Sequence, residues 1–231
     1  MKTDSTNNNN EKSALPDEYR QGFAMFCGCK IDLSQRVLIP RPETEFMARY
    51  AIQDLTGGGL RAPKVLDIFS GSGCVGVAIA KSVLAASVDL SDINLKAVAQ
   101  IKINLEINDI DPGRARVFVS DIFGKIPDGA KYDLIIANPP YVDPARIGEV
   151  QDSVIDHEPG RALFGGKLGL EIISRFLEEA KNFLVPDGSI YMEFDPQQAP
   201  AIGRILDDNG YKRYAFLKDQ YGQIRFVKAG I

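Results

Sequence analysis

Asn138, Pro139, Pro140 and Tyr141 follow directly on the apolar run Leu134–Ala137. A buried strand that ends in an amide, two residues without a backbone N–H and an aromatic ring is built to receive something. The side-chain oxygen of Asn138 and a neighbouring backbone carbonyl can each accept one N–H, so together they suit a planar NH2 group. Such a nitrogen, in an amide or an aromatic amine, has its lone pair delocalised and is a poor nucleophile. Two acceptors that grip its protons reduce that overlap and favour the tetrahedral nitrogen that forms as a new bond is made. Pro139 cannot continue a ladder and holds its carbonyl in a set direction. The ring face of Tyr141 can pack on the planar group.

A second stretch, Asp67–Gly76, contains Gly71, Gly73 and Gly76 in a G-x-G-x-x-G pattern between a predicted strand and a predicted helix. Asp92 follows about 20 residues on, where an acid can accept hydrogen bonds from ribose hydroxyls. Two nucleoside ligands compete for this pattern, NAD and S-adenosylmethionine. The second carries an ammonium, a carboxylate and a sulfonium in place of pyrophosphate, and Asp67 stands at the end of the loop where a cation needs an acid. Asp121, at the end of a third strand, can accept from an adenine amino group. The NAD reading gives no reason for an amide clamp at Asn138, so methyl transfer is the stronger reading. It needs no general base beforehand, because the nitrogen can lose its proton after transfer. Its acceleration would come from aligning nitrogen, methyl carbon and sulfur.

The elements that must position these groups alternate. Strands are expected over 64–69, 86–92, 115–121, 132–138 and 188–194. Helices are expected over 74–84, 93–108, 168–184 and 196–210. That order implies a parallel sheet with helices on both faces. The stretches 211–219 and 222–229 read as two strands with no helix between them, so at least one should run antiparallel. Each of the five apolar strands ends at or near an acid or an amide: Asp67, Asp92, Asp121, Asn138 and Glu193. In such a sheet they share one edge, which suggests a ligand cleft. Ahead of the sheet, residues 19–42 read as a small β-hairpin with linker, its arms "FAMFC" and "RVLI". Pro42 opens a helix with Glu43 and Glu45 near its positive end. Residues 1–18 form a polar, Asn-rich tail, expected to be disordered to about Ala14. Residues 43–231 form the main domain.

The chain has 231 residues, and 27 basic against 31 acidic residues leave a net charge of −4. That balance weighs against a surface made to grip nucleic-acid backbone. The one histidine, His157, reads as a loop residue and leaves no His-based triad or zinc site. Cys27, Cys29 and Cys74 lack metal or redox spacing, and no metal is expected. No run is long and apolar enough for a bilayer, and the N-terminus has no secretory core. A reduced, cytoplasmic monomer fits these features. The stretch 150–166, "VQDSVIDHEPGRALFGG", is long for a connection and reads as a lid or binding loop.

The chain resembles the release-factor glutamine methyltransferases, which methylate the side-chain amide of the glutamine in a Gly-Gly-Gln loop. "LIPRPETE" (38–45), "DIFSGSG" (67–73), "NPPY" (138–141) and "EPGRALFGGKLGLEII" (158–173) carry the resemblance, which spans Tyr19 to the C-terminus. "NPPY" is shared with N6-adenine methyltransferases, and "IPRPETE" is more specific to the glutamine family. The resemblance implies an α/β, Rossmann-like class I methyltransferase fold with S-adenosyl-L-methionine as cofactor. It places Phe69, Ser70, Gly71, Ser72, Gly73, Asp92, Asp121 and Ile122 at the cofactor, with Asp67 and Asn138 beside them. Asn138, Pro139, Pro140 and Tyr141 would hold the glutamine of a peptide chain release factor. Two departures stand out. The family usually has glycine where Phe69 stands. It also usually carries a helical domain ahead of the hairpin, whereas fewer than twenty residues precede Tyr19, the expectation for a truncated form. Three other readings remain: an N6-adenine methyltransferase on RNA or DNA, a binding protein that kept the fold without turnover, and an NAD oxidoreductase.

Overall fold

The computed structural model describes residues 15–149 and 163–231. Of the expected lid over 150–166, residues 150–162 with His157 lie outside the described residues, as does the tail over 1–14. A short helix, α1 (Asp17–Gln21), occupies the end of the span assigned to the tail, with Asp17 and Glu18 in its first turn.

The hairpin is present with one arm misplaced. Strand β1 (Phe23–Phe26) pairs with β2 (Cys29–Asp32), not with the run at 36–39. Cys27 and Gly28 both have positive φ, 47° and 78°, as a two-residue hairpin turn of right-handed twist requires. That turn fixes the register Phe26↔Cys29 and leaves "RVLI" unpaired. Val37 and Ile39 are nevertheless buried, so their apolar signal was burial without pairing.

Helix α2 (Pro42–Gly57) starts with proline in its first turn, and Thr44, Met47, Ala48, Ala51 and Leu55 form its buried stripe. The main sheet then develops through β3 (Lys64–Ile68), α3 (Cys74–Ser82), β4 (Ser87–Asp92), α4 (Leu95–Ile107), β5 (Ala115–Val119) and β6 (Tyr132–Ala137). It continues through α5 (Glu171–Ala180), β7 (Leu184–Glu193), α6 (Ala199–Asp208), β8 (Arg213–Lys218) and β9 (Ile224–Gly230). Strand β7 begins earlier than expected, at Leu184 rather than Gly188, through a register irregularity opposite Tyr132–Leu134.

The sheet order is β5-β4-β3-β6-β7-β9-β8. All pairs from β5 to β7 are parallel, and β9 runs antiparallel to both neighbours. The chain moves outward from β3 to β5 and returns to β6 beside β3, which puts the switch point between β3 and β6. Alternate residues feed two cores. Val65, Leu134 and Ile136 pack with α2, α3, α4 and the hairpin. Leu66, Ile68, Ile135 and Ala137 pack with α5 and α6 through Ile173, Phe176, Ile202 and Leu206.

The hairpin is fixed to α4 by polar groups inside the core. Asn104, fully buried, accepts from the Asp32 N–H at 2.8 Å and donates to the carbonyls of Ser72 (2.8 Å) and Asp32 (3.2 Å). Gln100 accepts from the Gln35 N–H, and Asn108 donates to the Lys30 carbonyl, both at 2.8 Å. Because Ser72 belongs to the glycine loop, one asparagine joins the hairpin to that loop.

Candidate active site

The register Ile68↔Ala137 sets the ends of β3 and β6 level. The glycine loop and Asn138 therefore leave the sheet side by side, at its switch point. Ile68 is also level with Ser91 and Asp92 with Val119, so Asp92 and Asp121 follow along the same edge.

The loop is pinned from the neighbouring strand. The Ser70 hydroxyl donates to the Asp67 carbonyl at 2.6 Å and accepts from the Ser91 N–H at 3.0 Å. The Gly71 N–H donates to Asp92 Oδ2 at 2.9 Å, and the Asn94 N–H to its Oδ1 at 2.8 Å. Both oxygens of Asp92 are thereby oriented, and burial raises its carboxyl above the usual range. Asp67 is buried and accepts from the Gly76 N–H at 2.8 Å. Burial pushes its carboxyl up to about 7, against that hydrogen bond, and the charge of Asp92 adds to the rise. Gly76 permits the close approach of α3 to the sheet: a Cβ there would meet Leu90 Cδ2 at 2.5 Å.

Phe69 has φ of 60°, a backbone conformation costly for a side chain with a Cβ. Its ring turns toward α5 and meets Phe176 edge-on at 5.8 Å. Phe69 thus forms part of the cleft wall in both of its parts. The outer part, of about 410 Å³, lies between Ile68, Asp92, Ile93, Ile122, Pro140 and Ile172. Its walls are largely apolar, with Asp92, Ser120 and Asp121 as polar members. Asp121 is exposed at the rim, 3.3 Å from Arg175. The inner part is bounded by Asp67, residues 69–72, Asn138, and Pro40, Arg41 and Thr44 of the "IPRPETE" stretch. A further cavity of about 450 Å³ opens near Asp187 and Arg213, and none of the sequence-marked residues lines it.

The Asn138–Tyr141 segment is held from three sides. Asn138 Nδ2 donates to Thr44 Oγ1 at 3.1 Å, and Thr44 Oγ1 donates to Glu193 Oε2 at 2.7 Å. The Tyr141 hydroxyl donates to Glu193 Oε1 at 3.2 Å. Gln198 Nε2 donates to the Tyr141 and Leu168 carbonyls, at 2.9 and 3.0 Å. The glycines at 165 and 169 close over its backbone: a Cβ at Gly169 would lie 1.9 Å from the Tyr141 oxygen, and one at Gly165 2.4 Å from that of Pro140. Val142 and Phe164 form an isolated parallel bridge.

All the marked positions from Asp67 to Gly73, with Asp92, Asp121, Ile122 and Asn138–Tyr141, thus gather at one sheet edge. Thr44, Gln198, Phe164 and Ile172 belong to the same region and were not marked. Thr44 sat inside a recognised stretch, but helix-start chemistry explained its surroundings equally well. Glu193 was visible only as one strand-end polar group among five. Among the described residues, no group of three His, Cys, Asp or Glu is placed to hold a metal ion, and no helix is long and apolar enough to cross a membrane.

Residues 20–170 match the methyltransferase small domain, and solved methyltransferases share the fold. The catalytic domain of hMettl16 in complex with a MAT2A 3'UTR hairpin superposes with a TM-score of 0.67 at 17% identity, over 87% of this chain and 75% of that one. A methyltransferase from Pyrococcus furiosus gives 0.62 at 20% identity, over 88% and 90%. Fold and cleft together therefore define a methyltransferase. Curated relatives make the assignment narrower. The release factor glutamine methyltransferase of Lactococcus lactis is 33% identical, over 92% of this chain and 76% of its own length. That of Streptococcus pneumoniae is 35% identical, over 92% and 74%. The chain belongs to the release factor glutamine methyltransferase family.

Proposed function

We propose that the protein transfers a methyl group from S-adenosylmethionine to the side-chain amide nitrogen of a glutamine, in the Gly-Gly-Gln loop of a peptide chain release factor, as a cytoplasmic monomer. The observation that carries this reading is the level exit of the glycine loop and Asn138 from adjacent strands, which brings a nucleoside cleft against an amide clamp.

The residues present fit the cofactor. The apolar slot between Ile68, Ile93 and Ile122 suits a purine, with Asp121 at its rim for the amino group. Asp92, with both oxygens oriented, suits the ribose hydroxyls. Asp67 and residues 69–73 suit the amino-acid end, where an ammonium would hold Asp67 ionised despite its burial. When bound, the cofactor supplies an electrophilic methyl carbon on sulfur.

The chain's own residues then act by position. Asn138 Oδ1 and the Pro139 carbonyl accept the two amide protons of the glutamine. Tyr141 and Pro140 pack against the planar group and exclude water from it. The nitrogen is held in line with the methyl carbon, and its excess proton leaves after transfer, so no base is required.

A purified-enzyme assay tests this reading. A tritium-labelled methyl donor is offered with a release factor containing Gly-Gly-Gln, with the same factor carrying Gly-Gly-Ala, and with RNA. Label is expected in the first alone. Label in RNA alone overturns the assignment in favour of adenine N6 chemistry.

A further inference from the structure

The clamp has a direction that Asn138 cannot choose by itself. An amide in this place could present either its oxygen or its NH2 group to a substrate, and only the oxygen can accept a glutamine N–H. We propose that Glu193 is a positioning residue which, through the Thr44 hydroxyl, forces Asn138 to present its carbonyl oxygen to the methyl acceptor. This inference rests on the glutamine-methylation reading for its substrate, but not for its geometry.

The direction follows from counting protons. Thr44 has one hydroxyl proton. An ionised Glu193 can only accept, and its Oε2 takes that proton at 2.7 Å. The Thr44 oxygen then has only lone pairs to offer Asn138, which answers with its Nδ2 at 3.1 Å. Asn138 Oδ1 is left on the opposite side of the amide. The second carboxylate oxygen, Oε1, takes the Tyr141 hydroxyl proton at 3.2 Å. One buried carboxylate at the end of β7 thus terminates both chains of donors that begin in the clamp.

A protonated Glu193 breaks this pattern. It must donate from one oxygen. If it donates to Thr44, the threonine proton swings toward Asn138, and the amide has to flip to receive it. NH2 would then face NH2 across the clamp. If it donates to Tyr141, that bond reverses: the tyrosine oxygen accepts, and the tyrosine proton loses the acceptor it has at Oε1.

The groups that face Glu193 are Thr44 and Glu43 from α2, Tyr141 from the loop after β6, and Arg225 from β9. Burial outweighs the hydrogen bonds and the Arg225 charge, and pushes the carboxyl up to about 6. The functional form is the ionised one. Turnover governed by this relay is therefore present above that pH and falls as pH drops through it.

Three variants and one spectrum test the proposal. Thr44→Val keeps the shape and removes the hydroxyl, Thr44→Ser keeps the hydroxyl, and Glu193→Gln keeps the size but can donate. Cofactor binding by calorimetry, retained in each, reports that the cleft is folded. Thr44→Val and Glu193→Gln should lower kcat by about tenfold or more, as loss of a group that orients a reacting residue does, with KM for the cofactor unchanged. Thr44→Ser should keep most of the turnover. The acid limb of kcat near pH 6 should vanish in Glu193→Gln. Wild-type kcat in Thr44→Val, or an unaltered acid limb in Glu193→Gln, overturns the relay.

The side-chain NH2 resonance of Asn138, assigned by its loss in Asn138→Asp, reads the relay with no acceptor present. It should titrate in the wild type with a midpoint near 6 and not in Glu193→Gln. A resonance indifferent to pH in the wild type overturns the proposal. If it titrates while no release factor is methylated, the substrate reading fails and the relay stands.

Discussion

Thr44, in the first turn of α2, and Asn138, at the tip of β6, meet at 3.1 Å although 94 positions separate them. The contact joins the "IPRPETE" stretch to the segment proposed to grip the acceptor. The helix that "PRPETE" opens places one hydroxyl behind the amide.

Removing that amide should cost chemistry and not cofactor binding. Asn138→Ala is expected to lower kcat by a factor of about 10² or more, comparable to loss of an oxyanion-hole donor. Calorimetric affinity for S-adenosylmethionine should change little. Near wild-type turnover in this variant would remove the clamp from the mechanism.

Cofactor affinity should depend on pH through Asp67. Its carboxyl, raised from 3.8 to about 7 by burial, is held neutral by the fold below that value. A nearby ammonium favours the ionised form, so binding below about pH 7 should release a proton. Affinity then rises with pH up to that value and levels off above it. The linked stability term has the opposite sense: the folded state binds the extra proton between 3.8 and about 7, so stability is lost as pH rises across that window. Calorimetry in two buffers of different ionisation enthalpy measures the released proton, and identical heats at mildly acidic pH would exclude Asp67 from the ammonium site.

Gly169→Ala tests the wrap around the acceptor segment. Its φ of 68° and the 1.9 Å approach of a Cβ to the Tyr141 oxygen leave no room for a methyl group. The backbone at 165–170 has to withdraw, and Pro140 and Tyr141 with it. A loss of turnover of about tenfold or more is expected, since small misplacements of positioning groups are costly. The variant should weaken cofactor binding less than turnover, because Asp67, Asp92 and the glycine loop stand at the ends of β3 and β4, away from Gly169, while Pro140 forms one wall of the slot.

The hairpin latch predicts a stability effect. Asn104→Ala removes a fully buried side chain that serves the Asp32 N–H and the Ser72 carbonyl. Groups buried without partners cost about 1–3 kcal/mol each, so the fall in stability should be about 2 kcal/mol or more. Urea denaturation measures it. Because Ser72 lies in the cofactor loop, cofactor affinity should weaken as well, and a variant that loses stability with affinity intact would separate hairpin from loop.

The order of strands and helices from Lys64 onward was legible because each element carries its own local signal: a period of two or an apolar run for strands, a 3.6-residue stripe for helices, and glycine or proline at the joints. The hairpin shows the limit of that signal. "RVLI" is the more apolar partner for "FAMF", whereas in "CKID" only Cys29 and Ile31 are apolar, and the choice fell to the two left-handed residues at Cys27–Gly28, whose φ values are a property of the folded backbone.

The site divides in the same way. Asp67, Asp92, Asp121, Asn138 and Glu193 were recognisable from sequence as strand-end groups, because the alternation of elements alone sends the carboxyl ends of parallel strands to one edge. That Glu193 reaches Asn138 through Thr44, that Gln198 grips the Tyr141 carbonyl, and that Phe69 turns its ring toward Phe176 was decided only in three dimensions. Those contacts depend on the register between strands and on the docking of α2 and α6 against the sheet. Packing energy sums over residues distant in sequence, and no local pattern carries it.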